Sequence, residues 1–280
     1  MEQLSLLEQS RAEEPGVADV EHVRRIARGI TSDLALVAPV DFEIVTSYQG
    51  IGVVQVTDIP WAGCLIEEAG ELVIKLRESD GQRRRRFTWA HELAHTFFPG
   101  FWYQPNFRCS PPAAPTSRSA EVEVLCDLAA AELLFPVASF RGDLAGADLN
   151  IICVEELADR YLASLEATAH RVIDLSERPA LMIVLEEMNK PADRADPIAE
   201  PQLRVSYAFG KGDWPYIPRW KSADPAGPLV SALAGEVLDQ AADLSELTAH
   251  ANTEVQMSAK LYPYRDDQGT LHRRVIAICR

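Results

Sequence analysis

The chain has 280 residues, of which 47% are apolar and 25% are charged, a mixture typical of a globular protein. Its formal net charge of −15 disfavours broad nucleic-acid binding, because an acidic surface repels a phosphate backbone. No apolar run approaches the ~20 residues that a membrane-spanning helix needs, and the acidic N-terminus does not resemble a secretory signal. We therefore expect a cytoplasmic protein that does not enter the membrane.

The five cysteines are scattered and include no CxxC pair, which disfavours both a disulfide framework and a zinc site made of cysteines alone. We expect these side chains to serve mainly as small buried apolar groups. They are Cys64, Cys109, Cys126, Cys153 and Cys279.

The first part of the chain predicts a loose lead-in, one helix and then β structure. Residues 1–17 form the lead-in, because Pro and Gly near its end break any periodicity. Apolar residues recur at helical spacing over residues 19–36, which predicts an amphipathic helix. The β-rich stretches that follow are residues 43–58, with a turn at 49–50, then 61–67 and 72–76, joined by a turn at 68–70.

The middle of the chain predicts helices on either side of a long loop. A helix is expected over residues 83–98, ended by the Pro-Gly pair that follows it. Residues 99–117 are rich in proline and predict a loop, which we expect to shape a substrate groove. A strongly apolar helix is expected over residues 120–135, and further helices over 137–175.

Residues 179–280 predict a smaller domain of mixed helix and strand. Its aromatic-rich set of Trp and Tyr residues either lines a ligand pocket or belongs to an ordinary core. The predicted elements are strands at 181–185, 203–209, 254–262 and 275–279 and a helix at 229–241. The fold class predicted for the whole chain is therefore α+β.

Residues 91–95 read His-Glu-Leu-Ala-His, an HExxH pattern inside a predicted helix. Because His91 and His95 are four residues apart, their side chains share one helical face and can take two corners of a tetrahedral zinc site. Glu92 lies beside them and is placed to act as the general base for an attacking water. The pattern is short, but these three residues are costly to bury on an apolar helix without a function. The sequence therefore predicts a zinc-dependent peptidase.

A catalytic zinc site needs a third protein ligand, and the next predicted helix offers Glu123 and Asp127. These two residues share a helical face, whereas Glu121 lies about 200° round the helix from Glu123. With Glu123 as the ligand, Asp127 could accept the N–H of a zinc-bound histidine. The alternative is that Glu121 and Glu123 are solvated charges, favoured there by the helix macrodipole. Glu132, further along, is expected to be an ordinary helical charge.

Two stretches, in the same order, resemble the signatures of ImmA/IrrE-type metallopeptidases. Residues 86–95, Arg-Phe-Thr-Trp-Ala-His-Glu-Leu-Ala-His, are similar to the RFTxAHELxH signature. Residues 123–136 are similar to the second signature, in which an E-x-x-x-N/D step precedes AAxLLMP. The resemblance implies that Glu123 is the third zinc ligand. Trp89 and Asp127 depart from the family pattern, in which a smaller aliphatic residue and an asparagine are usual.

The resemblance also implies a fold and a domain order. After the lead-in at 1–17, it implies a zincin-like peptidase domain at residues 18–150, built from a small twisted sheet and active-site helices. A helical, helix–turn–helix-like segment is expected at 151–178. An α/β domain is expected at 179–280, where IrrE-like relatives carry a GAF-like sensor domain.

Two features raise the question of nucleic-acid binding. The four arginines at 83–86 could contact a phosphate backbone, but we favour a structural role in which they pair with Glu78 and Asp80. The helices in 151–178 are predicted to turn near residues 162–163. A recognition helix needs a basic or amide-rich face, which this segment lacks, so we favour packing or protein docking. Direct nucleic-acid binding is thus disfavoured.

These features together predict a zinc endopeptidase of narrow specificity. By resemblance, its substrate is a regulatory protein such as a helix–turn–helix repressor, cleaved in a stress, DNA-damage, mobile-element or phage response. We expect an extended substrate to lie along an edge strand. The predicted edge strand is made of Leu72, Val73, Ile74, Lys75 and Leu76.

The alternative function is a non-catalytic, zinc-containing regulator that acts by binding a partner protein. The presence of a general base at Glu92 favours the enzyme, because a degenerate site has no need of that carboxylate. The ligand set of two histidines and one glutamate favours Zn²⁺ over manganese. The oligomeric state, the cleaved bond and the activating signal are left open by the sequence.

Overall fold

The computed structural model describes residues 6–98, 101, 117–193, 198–248, 253–265 and 269–280. The chain divides into two compact units, one made of residues up to 143 together with 158–167, and the other of 144–157 together with 168–280. Helices and sheets occur in both units, so the predicted α+β class is confirmed. The predicted segment boundaries at residues 17, 150 and 178 stay a prediction.

The first unit begins with two helices, α1 (Leu6–Glu13) and α2 (Asp19–Asp33). The second confirms the predicted amphipathic helix, but α1 lies where a loose lead-in is expected. His22 of α2 holds the end of this segment, because its ring is hydrogen-bonded to Ser10 Oγ at 3.0 Å and to Glu14 Oε2 at 2.9 Å. These long-range contacts order a stretch that has little periodicity of its own.

Helix α3 (Phe42–Tyr48) replaces a predicted strand. Asp41 caps it by accepting a hydrogen bond from the main-chain N–H of Glu43. Phe42, Val45 and Thr46 are buried at helical spacing. The strand prediction over residues 43–48 is therefore wrong, because the cap and the buried face outweigh the β propensity of the isoleucine, valine and threonine.

A three-stranded sheet follows, made of β1 (Val53–Thr57), β2 (Gly63–Glu68) and β3 (Glu71–Arg77). Strands β2 and β3 form a hairpin whose two turn residues, Ala69 and Gly70, have φ of 51° and 87°. The strand order is β1-β3-β2, with β1 parallel to β3.

The predicted substrate edge strand, Leu72–Leu76, is therefore the central strand of this sheet. Val73 pairs with Val53 of β1 on one side and with Ile66 of β2 on the other. A strand with partners on both sides has no row of main-chain groups left for a substrate. That prediction is wrong, and the edges of the sheet are β1 and β2.

Two helices carry the predicted motifs, α4 (Gln82–Ala94), which continues as a 3₁₀ turn (His95–Phe97), and α5 (Ser117–Leu134). They pack against each other through fully buried small and apolar side chains, which allow two helices to approach closely. Ala90 and Leu93 lie on α4, and Ala129 and Ala130 on α5. Apart from Phe101 and residue 117, the predicted loop at 99–117 lies outside the described residues.

Three further helices confirm the prediction for residues 137–175. They are α6 (Val137–Leu144), α7 (Ile151–Tyr161) and α8 (Leu165–Leu175). Leu162, with φ of 49°, makes the predicted turn between α7 and α8. In the first unit, the fully buried Tyr161 ring packs between Phe135 and Phe140, which anchors the end of α7.

The second unit is built on a five-stranded antiparallel sheet of order β5-β4-β10-β7-β6. From residue 180 onward its elements are β4 (Ala180–Met188), β5 (Gln202–Lys211), α9 (Pro228–Ser231), β6 (Leu238–Asp243), β7 (Glu254–Leu261), β8 (Tyr264–Arg265), β9 (Leu271–His272) and β10 (Arg274–Cys279). The helix predicted over 229–241 is wrong beyond its first turns, because β6 occupies its C-terminal part and pairs with β7. A likeness to GAF domains stays a prediction.

Within the described residues, no helix is both long enough and apolar enough to cross a membrane.

Candidate metal centre

The two histidines of HExxH lie on one face of the α4 helix and its 3₁₀ continuation. The ring centroids of His91 and His95 are 5.1 Å apart, and the rings meet edge to face at 76°. Their side chains are 15% and 14% exposed, so each ring is largely packed in protein but reachable from solvent. This placement follows from the four-residue spacing of the motif.

Helix α5 brings the carboxylate of Glu123 to both histidines. Glu123 Oε2 lies 3.0 Å from His91 Nε2, and Oε1 lies 3.9 Å from His95 Nε2. The Nε2 atoms of two residues on α4 and its 3₁₀ continuation thus face one carboxylate on α5. Glu121 and Glu123 are both exposed, and the carboxylate that faces the two rings is that of Glu123.

The other ring nitrogen of each histidine also has a partner on α5. The Nδ1–H of His91 donates to Asp127 Oδ1 at 2.8 Å, which is the contact expected for Asp127. Nδ1 of His95 lies 3.4 Å from Cys126 Sγ, a contact that sequence reasoning missed. The spacing contained the signal, since residues i, i+3 and i+4 of a helix share a face and Glu123, Cys126 and Asp127 have that spacing.

His91, His95 and Cys126 form a possible metal-binding group, because their donor atoms lie within 4.8 Å of one another. Burial, followed by the charges of Glu123 and Glu92, raises the pKa of the Cys126 thiol well above its usual range. A neutral thiol is a weak ligand, and zinc binds the thiolate. Imidazole, carboxylate and sulfur donors at these positions all suit a tetrahedral zinc ion.

The two histidines have opposite charge preferences. Burial disfavours the charged form of His91, but the hydrogen bonds to Asp127 and Glu123 outweigh it and raise the pKa of His91 to about 10. Burial and the neighbouring charge of His91 lower the pKa of His95. The hydrogen bonds from the two α5 carboxylates thus favour the charged form of His91, whereas burial favours the neutral form of His95.

Glu92, the acidic residue of the HExxH motif, faces the sheet and is 8% exposed. Burial raises the pKa of Glu92 to about 8, against the effect of the His91 charge and of a main-chain hydrogen bond from Leu65. A carboxyl group whose pKa lies near neutrality can both accept and return a proton.

Gly63 is a second residue that sequence reasoning missed. A Cβ built on it would lie 2.4 Å from Thr88 Cγ2 and 3.3 Å from Glu92 Oε1. Only glycine lets the start of β2 approach α4 this closely. A lone glycine after a tryptophan and an alanine has no pattern in the sequence that would have identified this contact.

Two other charged groups have structural roles. Glu132, expected to be an ordinary helical charge, is 1% exposed and accepts a hydrogen bond from Arg28 Nη2 at 2.9 Å, so that expectation is wrong. Arg86 donates to the main-chain oxygen of Val40 at 2.7 Å and lies over the ring of Phe42. These contacts support a structural role for Arg86, and Arg84 Nε lies 3.5 Å from Asp80 Oδ2, a pairing expected for this run of arginines.

Comparisons with known proteins found a family model and a solved structure of similar fold. Residues 67–172 match the peptidase M78 family model, described as the IrrE N-terminal-like domain, and both signature stretches lie inside the match. A solved structure of a Mycobacterium tuberculosis transcriptional regulator superposes with a TM-score of 0.60 at 15% identity, over 92% of this chain and 76% of that one. At that identity the likeness shows the fold alone. No curated protein matched the sequence.

Proposed function

We propose, from the match of residues 67–172 to the model of the IrrE N-terminal-like domain, that this chain is a zinc-dependent endopeptidase of narrow specificity. One observation carries the proposal: the Nε2 atoms of His91 and His95 both face the carboxylate of Glu123, while the buried Glu92 lies beside them. Two imidazoles and one carboxylate are a donor set that would hold a catalytic zinc ion.

His91, His95 and Glu123 would hold the zinc. Cys126 is the weaker candidate for the third ligand, because its sulfur lies against Nδ1 of His95, whereas Nε2 of that ring faces Glu123. Bound zinc supplies a Lewis acid that polarises a peptide carbonyl and acidifies a water molecule. Asp127 accepts the Nδ1–H of His91 and so fixes the tautomer and the orientation of that ring.

Glu92 supplies the proton transfers. Its carboxylate accepts a proton from the attacking water, and the same carboxyl group returns that proton to the nitrogen of the leaving amine. Burial beside β2 excludes bulk water from the carboxyl group and raises its proton affinity. The Leu65 main-chain hydrogen bond and the close approach at Gly63 fix its position against the sheet.

The substrate strand is assigned to the edge of β2 rather than to β3. Among the named strands, β2 pairs only with β3, and it is also the strand that lies against Glu92. An extended segment of a protein substrate would add to this edge through main-chain hydrogen bonds. By resemblance to the family, we propose that the substrate is a regulatory protein such as a helix–turn–helix repressor.

The test combines metal content with cleavage. We expect inductively coupled plasma mass spectrometry to find about one zinc per chain in the wild type and in Glu92→Gln, and little in His91→Ala or Glu123→Ala. An intact proteome is then incubated with each protein, and the N-termini of the resulting fragments are compared by N-terminal sequencing. New N-termini are expected with the wild type and not with Glu92→Gln.

Two outcomes would contradict this function. A wild type that binds no zinc when zinc is supplied removes the catalytic site. Zinc retention with identical N-termini for the wild type and Glu92→Gln would instead support the alternative, a non-catalytic regulator that binds a partner protein. The name of the M. tuberculosis structure, a transcriptional regulator, is the observation that keeps this alternative in view.

A further inference from the structure

Cys126 occupies a position equivalent to that of Asp127. Each of these α5 residues lies at hydrogen-bond distance from Nδ1 of one HExxH histidine: Asp127 Oδ1 is 2.8 Å from His91, and Cys126 Sγ is 3.4 Å from His95. Both Nε2 atoms face Glu123. The three α5 residues thus contact all four nitrogens of the two rings.

We propose that Cys126 is a positioning residue, whose sulfur accepts a hydrogen bond from the Nδ1–H of His95 and holds Nε2 of that ring toward the metal. This inference rests on the proposed zinc site at His91, His95 and Glu123. Metal-ligating histidines almost always donate their other N–H to such an acceptor, and sulfur is a weak but competent one.

The geometry favours an acceptor over a ligand. A ligand sulfur would have to share the ion with Nε2 of His95, but Cys126 Sγ lies against Nδ1, the other nitrogen of the ring. The cysteine is also fully buried in the packed face of α5, at 0% exposure, whereas the Glu123 side chain is 52% exposed and lies on the solvent side. Cys126 therefore supports the ring from within the protein.

The two histidines are consequently held with unequal strength. Asp127 is an ionisable acceptor, and its hydrogen bond to His91 is of the charge-assisted kind. The Cys126 sulfur is a longer and weaker acceptor for His95. We therefore expect a smaller loss of metal affinity when the Cys126 acceptor is removed than when the Asp127 acceptor is removed.

The test measures zinc affinity by competition with a chromophoric chelator for the wild type, Cys126→Ala, Cys126→Ser and Asp127→Ala. Asp127→Ala is expected to lose about 10–100-fold, and Cys126→Ala about 10-fold, the lower end of that range. Cys126→Ser keeps an acceptor and should recover most of the loss. Cys279→Ala removes a fully buried thiol from the second unit and is the matched control, with no change expected.

Cobalt spectra separate a positioning residue from a ligand. The Co²⁺-loaded wild type should show the visible bands of a tetrahedral site without thiolate-to-cobalt charge transfer, and Cys126→Ser should keep that spectrum. Thermal unfolding of the metal-free variants checks that each one folds, so that a loss of affinity reports on the site.

Three results would overturn the inference. Unchanged zinc affinity in Cys126→Ala would remove any role for the sulfur. A charge-transfer band in the wild type that vanishes in Cys126→Ser would make Cys126 a ligand. Equal losses in Cys126→Ala and Cys126→Ser would assign the effect to packing. All three presuppose zinc binding by the wild type, whereas its absence would overturn the proposed function as well.

Discussion

The close approach of β2 to α4 at Gly63 can be tested by adding a single methyl group. In Gly63→Ala the new Cβ would lie 2.4 Å from Thr88 Cγ2. Carbon atoms pack best at ~3.5–4.0 Å, so the strand and the helix must separate locally by about 1 Å. Overpacking of this kind costs about 1–3 kcal/mol. The expected fall in the thermal unfolding midpoint is about 2–12 °C for a domain of this size.

Calorimetry or circular dichroism measures this shift, and a second substitution makes the test specific. Thr88→Ser deletes the methyl group that the new Cβ would meet and keeps the hydroxyl. The double variant Gly63→Ala/Thr88→Ser should therefore recover most of the lost stability. Gly29→Ala is the control, because nothing lies within 4 Å of its added Cβ and alanine is the better helix former.

The same variant should impair catalysis, since the added Cβ would also lie 3.3 Å from Glu92 Oε1. A displacement of about 1 Å in a catalytic group can cost ~100-fold in rate. Zinc content should be unchanged, because the atoms nearest to the added Cβ belong to Thr88, Lys75 and Glu92 and to none of the proposed ligands. The argument from close approach would be refuted if Gly63→Ala unfolded at the same temperature as the wild type. It would also be refuted if adding Thr88→Ser did not restore the lost stability.

Three further predictions concern stability. Glu132→Gln should lower the free energy of unfolding, measured in urea, by about 1–3 kcal/mol, because it leaves the arginine partners on α2 without a buried carboxylate. The control Glu121→Gln should change that free energy little. Zinc at 100 times its dissociation constant should stabilise the wild type by about 2.7 kcal/mol, and His91→Ala should abolish this effect in thermal unfolding. The hydrogen bond from His22 lowers the pKa of the Glu14 carboxyl group. The stability that this hydrogen bond gives the folded protein is therefore present above the ordinary pKa of 4.5, and it is lost as the pH falls through the lowered pKa. Wild type and Glu14→Gln should accordingly differ in unfolding temperature at pH 7 and converge in acid.

The elements around the motifs could be predicted from the sequence because their signals are local. The four-residue spacing of HExxH places His91 and His95 on one face, and the same spacing pairs Glu123 with Asp127. The structure brings these residues together as expected. Cys126 has the same kind of local signal, at three residues from Glu123, but a buried cysteine without a CxxC partner is ordinarily a small apolar side chain.

The errors arose where distant parts of the chain decide the structure. The central position of β3 depends on its parallel pairing with β1, which joins Val53 to Val73, and no local pattern reveals that pairing. The approach of Gly63 to Glu92 depends on how β2 packs against α4. Helix α3 is different, because its signals are local. The sequence prediction gave more weight to the β-branched residues than to the Asp41 cap and the helical spacing of the apolar residues, which decide the structure.

The position of the ligands on two helices has a consequence for the chain entropy of the protein. His91 and Glu123 are 32 residues apart in the sequence, so an ion bound by both closes a loop of that length. By the relation used for disulfides, a cross-link over such a loop removes roughly 3–4 kcal/mol of unfolded-chain entropy. A bound zinc would thus cross-link α4 and α5, as a disulfide cross-links a small secreted domain. The ion proposed for catalysis would therefore also stabilise the packing of the two helices.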